Sequence, residues 1–521
     1  MWDALISSFF IISDPFRMGM LMLGVSIGII VGILPGLGGL MGMALVLPFL
    51  FGMDAYAGVA MLIGIAAAVP SSDTFPSVLM GIPGSSGSQA TVMDGYPMAR
   101  KGQAARALGA AFSASMIGGV LGALALTALV PFARPVVLMF GAPELLMLTI
   151  LGLSMVGVLS GNRPLLGIIA ACVGLTLGMV GGAPAAPEYR WAYGNVYLFD
   201  GFSLVIVALG LFAIPEIVDL LARGGSIAQR GAVLGSGWLD GVRDTLRHKW
   251  LVVRHSLIGV AVGAIPGMGS SIIDWLNYGY VVTRAKDKSQ FGKGDVRGVI
   301  APEAANNARE GGVLMPTLLF GVPGSSSMAL FLGALLIFGI QPGPALLRDD
   351  LDLVFVIIWS LALANVFGTL ICLALSRPIS RLTFVPFRYI APVVLCIVIL
   401  GAWQETRHVG DLITLTAFGL LGWTMKRIVM PRPPLLVGFI LSVLVERYLW
   451  MSYNLYDWDW ITRPLVLAIA MLCVVLVVGG TMMKQRVQVA ESAKEVNPAP
   501  VVAGTQRAQV GETAKEVDRV S

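Results

Sequence analysis

The chain has 521 residues, of which 56% are hydrophobic and only 12% charged, with 63 glycines and a mean hydropathy of +0.83. Soluble domains carry about 25% charged residues, so this composition excludes a soluble helical protein and places the chain in a lipid bilayer. The net charge of +5 does not point to nucleic acid, because the basic residues fall in short loops between apolar segments.

A bilayer core of about 30 Å needs about 20 apolar residues per helix, and by that yardstick the chain makes roughly eleven to twelve crossings. The predicted class is an all-α polytopic membrane protein with re-entrant or broken helices. Residues 1–14 contain Asp3 and Asp14 but no basic n-region or small-residue cleavage site, so they do not read as a cleaved signal peptide. The first apolar segment breaks at Gly32-Ile-Leu-Pro35-Gly36-Leu-Gly38-Gly39. The next leads through the polar cluster Ser71, Ser72, Asp73 and Thr74 to a second break, Gly81-Ile-Pro83-Gly84-Ser85-Ser86. A basic loop with Arg100, Lys101 and Arg106 follows, and 182–199 is an aromatic connection.

Residues 223–249, rich in Arg and Lys, read as a linker. The stretch from Trp250 to Val282 starts and ends at basic loops, which predicts a membrane hairpin turning at Pro266 to Ser271, with Asp274 and Asn277 in its returning arm. After the basic loop 284–297 come Glu303, Asn306, Asn307, Arg309 and Glu310, then a fourth break, Gly321-Val-Pro323-Gly324-Ser325-Ser326. Basic residues recur at Arg377, Arg381, Arg388, Lys426, Arg427 and Arg432, whereas 341–352 and 453–460 are poor in them. The positive-inside rule puts the basic loops in the cytoplasm and the aromatic connections outside. The polar tail 484–521 carries a near-duplicate, Arg486–Asn497 against Arg507–Asp518, and reads as a disordered cytoplasmic extension. Cys172, Cys372, Cys396 and Cys473 lie in apolar runs without metal-site spacing and read as packing residues.

The breaks form an ordered echo. Pro35 and Pro266 stand 231 positions apart (266 − 35), and Pro83 and Pro323 stand 240 apart (323 − 83). The loop between the two breaks is basic in the second half and uncharged by Lys or Arg in the first, and the loop after the second break shows the reverse. Equivalent loops on opposite sides imply two inverted repeats, 1–222 and 250–483, as in secondary transporters whose broken helices meet at the midplane. Proline removes a backbone donor and glycine relaxes the chain, so each break is expected to restart a helix. Its free N–H groups and positive dipole end suit a carboxylate. The expected solute site is therefore Pro35, Gly36, Gly38, Pro83, Gly84, Ser85, Ser86, Pro266, Gly267, Gly269, Ser270, Asn306, Asn307, Pro323, Gly324, Ser325 and Ser326. Carbonyls freed before a break can hold a cation. Ser71, Ser72, Asp73, Asp274 and Glu303, ionisable or polar groups at membrane depth, are the ion-coupling candidates.

The run from Ala301 through Pro302, Glu303, Asn306, Asn307, Gly311 and Gly312 to Gly321–Ser326, then Gly333, Gly339, Pro342, Gly343 and Pro344, resembles the large permease subunit of tripartite tricarboxylate transporters. The first half agrees through Pro35–Gly38, Asp94-Gly95-Tyr96-Pro97 with Arg100–Gln103, and Gly210–Glu216. The resemblance spans Met18 to Lys484. It implies a multi-pass permease of the bacterial inner membrane that works with a small membrane subunit and a periplasmic solute-binding protein. It also implies carboxylate import driven by Na+ or H+ with no other cofactor. A stand-alone secondary transporter or a channel for another small organic anion is the alternative, and a membrane scaffold a further one. An intramembrane enzyme is not expected, because His248, His255 and His408 fall at segment ends or loops, away from Ser85 and Ser325.

Overall fold

A computed structural model describes residues 1–34, 38–137, 139–159, 164–184, 186–223, 235–267, 269–378 and 387–475. Met1–Cys473 form one compact unit and Val474–Ser521 another, of which residues 474 and 475 are described. Pro35, Gly36, Arg381 and the duplicated tail thus lie outside the described residues.

The first half runs α1 (Trp2–Ile12), α2 (Pro15–Ile33), α3 (Gly38–Val46), α4 (Ala55–Ser72), α5 (Thr74–Met80), α6 (Thr91–Arg100), α7 (Ala104–Val137), α8 (Ala142–Leu159), α9 (Pro164–Gly178), α10 (Leu204–Ala208) and α11 (Ile214–Arg223). Then come α12 (Trp238–Arg247), α13 (Lys249–Gly263), α14 (Ser270–Arg284), α15 (Arg297–Phe320), α16 (Ser326–Ile337), α17 (Pro344–Asp349) and α18 (Leu351–Ala374). The described chain closes with α19 (Phe387–Thr406), α20 (Val409–Arg427), α21 (Pro433–Tyr456) and α22 (Pro464–Val475). Gly181–Gly182 and Tyr189–Arg190 pair as a two-stranded antiparallel ribbon in the aromatic connection. From this ribbon the Arg190 guanidinium grips Glu446 of α21 through two hydrogen bonds of 2.8 and 2.6 Å.

Local chemistry sets the ends of these helices. Asp14 caps α2 by accepting from the Phe16 and Arg17 amides, with Pro15 preset for the first turn. Asp54 caps α4 and pairs with Arg17 at 2.8 Å. Among the described residues, five helices are long and apolar enough to cross a membrane: Pro15–Ile33, Ala55–Met80, Ala104–Val137, Leu351–Ala374 and Pro433–Thr462. The expected eleven to twelve crossings exceed these five, and the described chain adds shorter apolar helices such as Gly38–Leu50 and Ser326–Ile337. At 1.5 Å per residue these fall short of the bilayer core on their own.

The two halves share a packing pattern. On α2, Gly28 and Gly32 face α4 so closely that an added Cβ would fall 2.8 Å from the Ile65 carbonyl oxygen and 2.9 Å from that of Val69. On α13, Gly259 and Gly263 press in the same way on the Ala305 and Arg309 carbonyls of α15. The glycine pairs differ by 231 positions (259 − 28) and the carbonyls by 240 (305 − 65), the offsets of the breaks themselves. Small residues that admit a neighbouring backbone are the usual contact between membrane helices. Where a membrane hairpin is expected, the chain forms α13 and α14, 15 residues each, separated by a turn that contains Pro266 and Gly267.

The cysteines are free thiols. Cys372 and Cys473 are buried, as packing residues should be, whereas Cys172 and Cys396 are exposed on the protein's surface. An apolar run in a bilayer has a lipid-facing side as well as a packed one, which hydropathy alone does not separate.

Candidate solute-binding site

The breaks converge. Gly38 and Gly39, Gly84–Ser86, Gly267, Gly269–Ser271 and Gly324–Ser327 line one cavity of about 540 Å³, joined by Asn306, Arg309 and Glu310 of α15. The turn before α14 touches the fourth break directly, the Gly267 amide donating to the Gly324 carbonyl at 3.4 Å.

The second and fourth breaks are built alike. α5 ends on Gly81 at φ 70° and α15 on Gly321 at φ 68°, the left-handed conformation that glycine takes without penalty. The chain then folds back, so that the Gly84 amide donates to Ser77 Oγ at 3.3 Å and the Gly324 amide to Thr317 Oγ1 at 3.3 Å. After this point they diverge. Ser325 caps α16 by accepting from the Met328 amide at 3.3 Å, as a restarted helix requires. Ser85 and Ser86 start no helix, since α6 begins only at Thr91. Ser85 instead donates to Asp73 Oδ2, and its hydroxyl accepts from the Gly87 amide at 3.0 Å. The expected helix restart is corrected there: Ser85 Oγ is held between Asp73 and the Gly87 amide, and the Ser85 amide donates to Ser88, so the segment turns on itself and α6 begins only at Thr91. The described N-termini facing the cavity belong to α3, α14 and α16.

The buried carboxylates stand behind the cavity wall. Glu303 is fully buried and accepts from Thr74 Oγ1 at 3.0 Å, Thr91 Oγ1 at 2.7 Å and Ser115 Oγ at 3.0 Å, one hydroxyl each from α5, α6 and α7. Asp274 accepts from the Ala90 amide at 2.6 Å, and its other oxygen is buried without a partner, as is Asp73 Oδ1. Among the described residues no group of three His, Cys, Asp or Glu converges on a metal-sized site.

A ladder of contacts ties the first half to α14 at a constant offset of 184. Ser86 and Ser270 share a hydrogen bond of 2.6 Å, the Ala90 amide reaches Asp274, and Asp94 accepts from the Tyr278 hydroxyl at 3.0 Å. Asp94 Oδ1 also accepts from the Gly294 and Asp295 amides at 2.8 and 2.9 Å. Burial raises the Asp94 carboxyl above its ordinary value, and the two amides and the Tyr278 hydroxyl oppose that rise.

Of the expected solute residues, Gly38, Gly84, Ser85, Ser86, Gly267, Gly269, Ser270, Asn306, Gly324, Ser325 and Ser326 line the cavity. Pro83, Pro266 and Pro323 shape the breaks but are not in its wall, and Pro35 and Gly36 are not described. Asn307 is turned away, its amide donating at 2.8 Å to both Ser71 and Asn365. Ser72 is also inside the packing, its hydroxyl bonded to the Gly28 and Val69 carbonyls. Arg309 and Glu310, which a sequence pattern places equally well in an interfacial loop, are buried in the middle of α15 and face the cavity. The signal available for Arg309 was its spacing of three from Asn306, which puts both on one helical face.

Residues 18–437 match the Tripartite tricarboxylate transporter TctA family. An uncharacterized 52.8 kDa protein in the TAR-I ttuC' 3'region of Agrobacterium vitis is 31% identical over 459 residues, 87% of this chain and 91% of that protein. An uncharacterized protein in the TAR-II ttuC' 3'region of the same organism is 28% identical over 237 residues, 44% of this chain and 98% of its own length. No solved structure matches the chain. A match over most of the chain, on a helical membrane fold whose paired breaks meet at one cavity, assigns the protein: it belongs to the tripartite tricarboxylate transporter TctA family.

Proposed function

We propose that the chain is the large permease subunit of a binding-protein-dependent secondary transporter, importing tricarboxylates or related carboxylates across the bacterial inner membrane. The observation that carries this reading is the convergence of breaks from both halves on a single polar cavity within an apolar bundle. The N-termini of α14 and α16 offer free N–H groups and the positive ends of their dipoles to an anion, and seven serine hydroxyls at 85, 86, 270, 271 and 325–327 add donors. A small membrane subunit and a periplasmic solute-binding protein are the partners that the family's tripartite character calls for. Na+ or H+ supplies the driving gradient, with Asp73, Asp274 and Glu303 as the coupling candidates because each is buried without a cationic partner among the described ion pairs.

Labelled citrate uptake in cells carrying Ser270→Ala or Ser325→Ala tests the reading. Each lost hydroxyl is expected to raise the apparent KM about ten- to a hundredfold, the worth of one hydrogen bond to a charged group. Uptake by both variants that matches the parent at equal membrane levels would remove the cavity from the transport path. The inverted arrangement has its own test, thiol labelling of single cysteines at Lys101 and Gln341. Labelling is expected from the cytoplasmic side at the first and from outside at the second, and the same side for both would overturn it.

A further inference from the structure

Arg309 and Glu310 are the charged residues among the described lining of the cavity. A charge at membrane depth is retained when it has something to hold. Glu310 accepts from Arg309 Nη1 at 2.6 Å, and both side chains are buried, 11% and 7% exposed. That bond uses one corner of the guanidinium. The Nε–Nη2 edge has no hydrogen-bond partner among the described residues, and Nε is fully buried. One turn earlier on the same face, Asn306 is 2% exposed and its Nδ2 is also buried without a partner. Asn306 is held in place by the first half, where Gly87 packs so tightly that a Cβ would fall 2.5 Å from its Oδ1.

Buried donors without acceptors cost about 1–3 kcal/mol each, and native structures rarely leave them so. Two of them three residues apart on one helical face, one being a guanidinium edge, match a planar carboxylate, which takes such an edge with two parallel bonds. A single carboxylate has about four acceptor sites, fewer than the donors that line this cavity. We propose that the Nε–Nη2 edge of Arg309 and the Nδ2 of Asn306 form a second carboxylate subsite, so that the solute carries at least two carboxylates, one at the helix N-termini and one here. Glu310 is a positioning residue: by holding Nη1 it turns the open edge toward the solute and keeps the empty cavity neutral. This subsite rests on the reading of the cavity as a carboxylate site.

The test uses the full chain, purified in nanodiscs, with propane-1,2,3-tricarboxylate, succinate and propionate as probes in titration calorimetry. The unaltered protein is expected to bind the first two at least tenfold more tightly than propionate. In Arg309→Gln with Glu310→Gln, which removes the pair without stranding a charge, the ratio of succinate to propionate affinity is expected to fall roughly 10- to 100-fold, the worth of a bidentate charged contact. Arg309→Lys, which keeps the charge but loses the edge, should show the same fall, and Asn306→Asp, which sets a like charge beside the subsite, supplies the result if the double variant does not fold. A ratio unchanged in these variants overturns the subsite alone. Failure of all three probes to bind the unaltered protein overturns the carboxylate reading and the subsite with it.

Discussion

Replacing Glu303 with leucine is expected to reduce the folded protein in the membrane to less than a tenth of the parental level. The side chain is fully buried in α15 and is the common acceptor for Thr74, Thr91 and Ser115. Leucine fills much of the volume but accepts nothing, so hydroxyls on three other helices lose their acceptor at about 1–3 kcal/mol each. That total is comparable to the whole stability of many folded domains, about 5–15 kcal/mol. Glu303→Gln keeps an acceptor oxygen and the shape, and should restore the level to near that of the parent. Fluorescence-detected gel filtration of a fluorescent-protein fusion measures both. Equal levels for the leucine variant and the parent would show that Glu303 does not hold α5, α6 and α7 to α15. A glutamine variant that reaches the membrane but no longer responds to an imposed proton gradient would add a coupling role to the structural one.

Gly84→Ala and Gly324→Ala are each expected to lower uptake about a hundredfold, the scale on which a displacement near 1 Å acts on a positioned site. A Cβ at Gly84 would fall 2.5 Å from the Asp73 carbonyl oxygen and 2.7 Å from its Cα, and one at Gly324 would fall 2.7 Å from the Val313 carbonyl oxygen. The opposing atoms are backbone, at the α4–α5 junction for Asp73 and within α15 for Val313, and do not swing aside, so the break itself must move. The effect should appear in uptake more than in membrane levels, because each break lies in the wall of the cavity. The control is Gly279→Ala on α14, where nothing lies within 4 Å of the added Cβ, and its uptake should equal that of the parent. A Gly84→Ala variant as active as this control would contradict the close packing of the break.

How far the site could be read from sequence depended on how local each cause was. Proline and glycine act on the backbone where they stand, so the breaks at 81–86, 263–271 and 321–326 were legible, and their order and spacing announced that they belong together. Whether a helix restarts at once after a break is decided by competing partners. Asp73, twelve residues before Ser85, takes that hydroxyl, and nothing in the Pro-Gly-Ser-Ser pattern distinguishes this case from Ser325. Adjacent asparagines point to different faces of α15, so Asn306 reaches the cavity while Asn307 binds Ser71 and Asn365. Arg309 was hard to place because Pro302 and Pro316 suggest an interrupted segment, yet α15 runs unbroken for 24 residues. The ladder at offset 184 pairs residues from different halves and has no trace in either motif.

The two breaks of the second half stand nine residues further apart than those of the first, 57 (323 − 266) against 48 (83 − 35), and the extra length falls between Gly269 and Arg297. That stretch supplies Tyr278, Gly294 and Asp295, the groups that hold Asp94. The added stretch gives the second half a clasp on the first: three donors from one half close on a single carboxylate of the other.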